Sequence, residues 1–287
     1  MATPATTLRL GPHRYDVTHR ALVMGILNRT PDSFYDQGAT WDFDAFLRRA
    51  DEIVAAGADI LDVGGVKAGP GPEVSEAEEL DRVVPAVAAL VERFDVPVSA
   101  DTWRASVLQA SCEAGAVVGN DISGFGDPKY LDVAAQADVA VVATHIRLQP
   151  RVPDPEPHYD DLVADVDAFL ADRAQRALDA GLTPEAVMID AGLDLGKTPA
   201  QSAVLLRESR ALADLGFPVL LSASNKRFLG ELLELDIGDR RAESLASVAY
   251  GVMHGCRVVR VHDVAGSVRV VRTVEALLAG HVPEASS

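Results

Sequence analysis

Asn28, Asp62, Asp101, Asn120, His145, Asp190, Ser224 and the pair His262-Asp263 each close a short apolar run. An ionised carboxylate ending such a run is costly unless it is paired or hydrogen-bonded. Any one of these aspartates is as well explained as the cap of its following loop. Three of them together with Asn120 favour a shared ligand. Carboxylates and an amide on one rim suit a heterocycle with several N–H donors and ring acceptors. The cations are distributed to match. Only Lys67, Lys129, Lys197 and Lys226 are lysines, and all fall in loops or helix starts. Lys129 reads as a solvated loop residue, whereas Lys226 directly follows Ser222-Ala223-Ser224-Asn225 at a strand end. Arg260 and His262 stand two apart, on one face of a strand, and form a grip for phosphate or diphosphate. A histidine there could equally be a hydrogen-bonded core residue.

The elements that must carry these side chains alternate along the chain. Strands are expected at 21–28, 59–65, 96–101, 117–121, 139–146, 186–190, 218–224 and 257–264. They are Val/Ile/Leu/Ala-rich, as parallel strands buried on both faces should be. Helical periodicity follows at 42–56, 76–94, 103–114, 130–136, 160–180, 199–215, up to Gly255, and at 267–279. Gly57, Gly115, Gly181, Gly216 and Gly255 each precede the next strand, as helix-closing glycines do. Eight βα units in strict order predict a single (β/α)8 TIM barrel spanning 21–281. A short hairpin lead at 1–20 precedes it, and a frayed tail at 282–287 follows. In that fold every strand opens its C-terminal end onto one face, so the polar strand ends converge. A doubly wound open sheet is the alternative, but it would concentrate polar residues at one switch point.

Composition narrows the partners. The 287 residues carry a formal net charge of −17, which argues against nucleic acid and anionic membrane surfaces. An anionic ligand must be held by local cations set against that field. Cys112 and Cys256 make no disulfide framework, the N-terminus shows no signal pattern, and no apolar run is long enough to span a membrane. The expected location is the cytoplasm. Cys/His metal-ligand spacing is absent, so no zinc site is expected. The segment 192–198 looks like a nucleotide-binding Gly-rich loop but is one residue short of the motif. The segment 64–71 reads as a mobile Gly-rich loop able to approach a ligand closely.

Specific runs go further. Met24-Gly25-Ile26-Leu27-Asn28 continuing into Thr30-Pro31-Asp32-Ser33-Phe34 resembles the opening signature of dihydropteroate synthases. The resemblance continues through Asp62-Val63-Gly64-Gly65, Asp101-Thr102, Asn120-Asp121-Ile122-Ser123-Gly124, Gly196-Lys197-Thr198, Lys226 and Arg260-Val261-His262-Asp263. It implies a barrel, usually a homodimer, that joins 6-hydroxymethyl-7,8-dihydropterin pyrophosphate to the aromatic amine p-aminobenzoate in folate synthesis. It also implies that Asp101, Asn120, Asp190 and Lys226 hold the pterin, while Asn28, Arg260 and His262 grip the pyrophosphate. Asn28 would in addition ligate Mg2+, and Asp101, Lys226 and Asn28 would carry the catalytic work.

The departures cluster on the acceptor side. Val66-Lys67-Ala68-Gly69 stands where the family usually has Glu-Ser-Thr-Arg, and Ser224-Asn225-Lys226 stands for Ser-Arg-Lys. Two arginines are thereby lost, and Lys67 cannot reproduce a planar bidentate fork. Arg29 replaces a small apolar residue, Ala191 and Asp194 replace Pro and Gly, and Thr144-His145-Ile146 replaces a Met-His-Met pattern. The chain is similar in this to actinobacterial second copies of the enzyme, some of which lack the activity. Two other readings are a catalytically silent pterin-binding paralogue and the pterin-binding module of a corrinoid methyltransferase. The latter normally works with cobalamin domains, which this chain lacks.

Overall fold

The computed structural model describes residues 5–30, 42–69 and 71–280. Strands β3 (Leu22–Asn28), β4 (Ile60–Gly64), β5 (Val98–Asp101), β6 (Val118–Asp121), β7 (Ala140–Thr144), β8 (Val187–Asp190), β9 (Val219–Leu221) and β10 (Cys256–Val261) pair in parallel. β10 closes on β3, so the sheet is a barrel without edges. The expected hairpin is β1 (Thr7–Leu10) with β2 (His13–Asp16), turning at Gly11 with φ +56°. Leu8, Leu10 and Val17 join Leu22, Met24, Ile60, Val142, Met188 and Val258 in one apolar cluster. The hairpin thus closes the barrel interior from below. The expected frayed tail at 282–287 lies outside the described residues.

A second core fills the space between the strands and helices α1 (Phe43–Ala55), α2 (Glu76–Arg93), α3 (Ala105–Glu113), α4 (Tyr130–Gln136) and α5 (Leu162–Asp179). It continues under α6 (Pro199–Arg207), α7 (Ser209–Ala213), α8 (Arg227–Leu233), α9 (Arg241–Met253) and α10 (Val264–Ala279). On α2 the buried stripe is Val83, Ala86, Val87 and Leu90, where a fully buried Leu contributes about 1.5–3 kcal/mol. Local chemistry starts these helices. Asp42, Ser75 and Asp161 each accept an N–H of the first turn, and Thr198 with Gln201 forms a reciprocal capping box. The glycines at 57, 115, 181, 216 and 255 all have φ between 90° and 104°, as expected of helix-closing positions.

Two expectations at the mouth need adjusting. The helix after β8 is split at Glu208, where ψ is 16°, into α6 and α7 rather than running from 199 to 215. The seventh barrel strand ends at Leu221, and a turn from Ala223 to Lys226 brings the lysine to the start of α8. No described helix is long and apolar enough to cross a membrane.

Candidate active site

One rung of the barrel assembles much of the polar rim. Asn28 registers with Gly64, Gly64 with Asp101, and Asp101 with Asn120. Gly64 matters for its missing side chain. A Cβ there would sit 3.3 Å from Asp101 Oδ2 and 3.4 Å from Asn28 Oδ1, so the glycine lets both oxygens crowd in from either side.

Arg260 crosses the mouth to this rung. Its Nε–H donates to Asp62 Oδ2 at 2.6 Å and its Nη2–H donates to Asp101 Oδ2 at 2.6 Å. Asn120 Nδ2 adds longer contacts of 3.4 Å to both Asp62 oxygens. Burial alone would lower the Arg260 pKa, but Asp62 and Asp101 together raise it above the ordinary guanidinium value. Burial pushes Asp101 up to about 7, opposed by Arg260 and reinforced by Asp62. A carboxyl poised near neutrality beside a fixed cation can accept or share a proton, or stabilise a developing positive charge.

Across the mouth, the Asp190 carboxylate accepts the Gly192 N–H at 2.8 Å. Burial raises its pKa, while Lys226 opposes the rise. Burial likewise lowers Lys226, while Asp190 and Asp194 hold it up. Lys226 Nζ donates to the Leu193 carbonyl at 2.6 Å, which fixes the ammonium under the β8–α6 loop. His262 takes a separate partner, with Nδ1 3.0 Å from Ser224 Oγ, and its carbonyl accepts from Arg49. Arg260 meets two carboxylates, and the His262 ring meets Ser224 in the turn after the seventh barrel strand.

Sequence reasoning understated several residues here. Asp62 is wholly buried and links Arg260 to Asn120. Lys197, set aside with its Gly-rich segment, lies within 2.8 Å of His145 Nδ1 and donates to the carbonyls of Gly192 (2.9 Å) and Leu195 (3.0 Å). Burial lowers Lys197 to about 7, and burial with the Lys197 charge lowers His145 to about 3. The ammonium binds protein carbonyls where a phosphate-cradling lysine would point outward. Buried Glu79 accepts the Thr102 hydroxyl at 2.6 Å and pairs with Arg104, bracing the residue after Asp101. The usable signal was that Glu79 and Arg82 fall on the apolar stripe of α2.

The Gly-rich segment 64–71 begins in close packing. A Cβ at Gly65 would meet Val83 at 2.8 Å, and the Gly65 carbonyl accepts from Arg82 at 2.8 Å. That glycine serves close packing on α2. Arg29 turns toward α1, with its guanidinium carbon 5.0 Å from the Phe43 ring centre. The part of the opening signature at 31–34 lies outside the described residues.

A closed parallel barrel with a charged cluster at its C-terminal mouth is the frame of a pterin-binding enzyme, and residues 24–262 match the sequence profile described as "Pterin binding enzyme". Dihydropteroate synthase of Bacillus subtilis is 38% identical over 269 residues, covering 93% of this chain and 92% of its own. "Inactive dihydropteroate synthase 2" of Mycobacterium leprae is 40% identical over 268 residues, covering 90% and 91%. The Yersinia pestis dihydropteroate synthase solved with a sulfonamide drug complex superposes with a TM-score of 0.91 at 38% identity, covering 96% of this chain and all of that one (100%). The chain belongs to the dihydropteroate synthase family.

Proposed function

We propose that the protein is a dihydropteroate-synthase-type transferase of folate synthesis whose use of p-aminobenzoate is weakened or altered. The observation that carries this reading is the cluster of Asp62, Asp101, Asn120 and Arg260, facing Asp190 and Lys226 at one barrel mouth. In this reading Asp101, Asn120, Asp190 and Lys226 read the edges of the pterin, while Asn28, Arg260 and His262 receive the diphosphate. The amine nitrogen of the acceptor attacks the pterin methylene carbon, forming a C–N bond. The C–O bond to diphosphate breaks, its electron pair leaves with the diphosphate, and the amine gives up a proton. Asp101, beside the reacting carbon, stabilises positive charge there. Arg260, released in part from Asp62 and Asp101, is the cation that meets the leaving group.

Asn28, whose Oδ1 lies beside Gly64, is the residue that would hold Mg2+, a hard ion that takes oxygen donors. When bound, it would neutralise charge on the leaving diphosphate. Homodimerisation through α8 to α10 is supported by exposed Leu232, Leu233, Ile237, Met253 and Leu277 on those elements and the turn between them. A cytoplasmic location is consistent with two cysteines outside any disulfide.

Steady-state release of diphosphate from the pterin pyrophosphate with p-aminobenzoate tests the transferase, against a Lys226→Ala control. The rewritten 66–69 loop and the likeness to the M. leprae protein support a second reading, a silent paralogue that holds a pterin. That protein would show calorimetric pterin binding without diphosphate release. Absence of any pterin binding would defeat both.

A further inference from the structure

The loop between β8 and α6 supplies a partner to each of two charged groups at the mouth. Its Gly192 N–H donates to the Asp190 carboxylate at 2.8 Å, and its Leu193 carbonyl accepts from Lys226 Nζ at 2.6 Å. Gly192 and Leu193 are consecutive, so a single backbone conformation serves both groups. Where that dipeptide lies sets the places of the carboxylate and the ammonium together.

No helix or strand holds this stretch. Gly192 has φ +63°, and a Cβ there would sit 1.9 Å from the His145 carbonyl oxygen, so the missing side chain lets the loop lie directly on the end of β7. Asp194 and Gly196 also have positive φ, +64° and +62°, and the Leu195 N–H donates to the Gly192 carbonyl at 3.0 Å. The resulting tight coil brings the Gly192 and Leu195 carbonyls around one point.

Lys197 Nζ occupies that point. An ammonium has three N–H donors and no acceptor. Its nearest partners are His145 Nδ1 at 2.8 Å, the Gly192 carbonyl at 2.9 Å and the Leu195 carbonyl at 3.0 Å. The His145 carbonyl lies further off, at 3.4 Å. All three donors are therefore taken by the protein, from the end of β7 on one side and from the loop on the other. Lys197 is only 7% exposed, so water is a poor substitute for it.

We infer that Lys197 is a positioning residue: it pins the β8–α6 loop to the end of β7, and through Gly192 and Leu193 it places Asp190 and Lys226 for a bound pterin. The pterin part rests on the transferase reading, whereas the pinning of the loop does not. Arginine is no equivalent, because a planar guanidinium spreads its donors over a fork and cannot aim three of them from one nitrogen.

The test uses Lys197→Met, which keeps length and burial but removes the three donors, and Lys197→Arg, which keeps the charge. Residue-resolved amide hydrogen exchange without ligand reads the pinning. Gly192 should lose protection at least about tenfold in both variants, the equivalent of one lost hydrogen bond. Ile189, whose N–H donates to the Pro218 carbonyl inside the barrel, should change less than about twofold. Calorimetry with 6-hydroxymethyl-7,8-dihydropterin pyrophosphate should show affinity reduced at least about tenfold in both. If the methionine variant does not fold, the arginine variant decides by the same comparison. Native protection of Gly192 in a folded variant overturns the inference. An equal loss at Ile189 also overturns it, since the whole barrel would then have loosened, as does a loosened Gly192 with unchanged pterin affinity. If the native protein binds no pterin pyrophosphate, the transferase reading fails, and the exchange comparison alone upholds or overturns the pinning.

Discussion

Replacing Arg260 with methionine leaves Asp62 and Asp101 without the guanidinium that now touches both at 2.6 Å. Asp62 is fully buried and Asp101 is 13% exposed, so water offers little compensation. Removing one partner of such a buried pair costs about 3–5 kcal/mol. Asp62→Asn alone keeps an oxygen in place and weakens a charge-assisted hydrogen bond to a neutral one, a loss of about 1–2 kcal/mol. In the double variant one carboxylate leaves with the guanidinium, so the combined cost should fall short of the sum by about 2 kcal/mol. The pH dependence follows from Asp101. Burial raises its folded pKa to about 7 from 3.8, with Arg260 opposing. The folded state therefore binds more protons across that window, and the contribution of this group falls as pH rises from 3.8 through 7. Without Arg260 the folded value rises further and the window extends upward. Urea unfolding at pH 8 should show the full penalty of Arg260→Met, and unfolding at pH 5 a smaller one. A penalty equal at both pH values, or below about 1 kcal/mol, would refute the reasoning.

His145 supplies an acid-side effect of opposite sign. Burial and the Lys197 charge lower its pKa from 6.5 to about 3, so its contribution is complete above 6.5 and is lost as pH falls toward 3. His145→Gln should flatten acid unfolding over that range, by up to about 1.4 kcal/mol per pH unit. Glu79→Gln weakens the brace to Thr102 and Arg104 and should lower unfolding free energy by about 1–3 kcal/mol, measured in urea. Restoring Glu-Ser-Thr-Arg at 66–69 together with Asn225→Arg should raise turnover with p-aminobenzoate. Because Asn225 has φ +57°, that arginine should also cost about 1–2 kcal/mol in stability. A flat turnover after reversion would place the acceptor defect outside these two loops.

The barrel was legible in the chain because the strands are short apolar runs and five of the helical stretches close on a glycine with positive φ just before the next strand. The rim was legible for the same reason, since strand ends are countable positions. What the sequence could not show was who meets whom. Arg260 reads as a phosphate grip beside His262, yet the nearest anions are carboxylates 198 and 159 positions away. The start of α3 was blurred because its first amide, Ala105 N–H, is capped by Asp127 from 22 residues downstream. The role of Lys197 stayed hidden because its partners are mostly carbonyls, and backbone carbonyls leave no mark in a sequence.

The seam between β10 and β3 has a consequence for biogenesis. Until the last strand docks, Asp62, Asp101 and Asn120 stand side by side as an acidic rim without its guanidinium. A chain still emerging, or clipped before residue 256, would carry these three side chains without the cation that pairs them. The charge balance of the mouth therefore reports completion of the ring. Any ligand that requires the paired mouth would favour only molecules that have finished folding, shifting the population toward them by mass action.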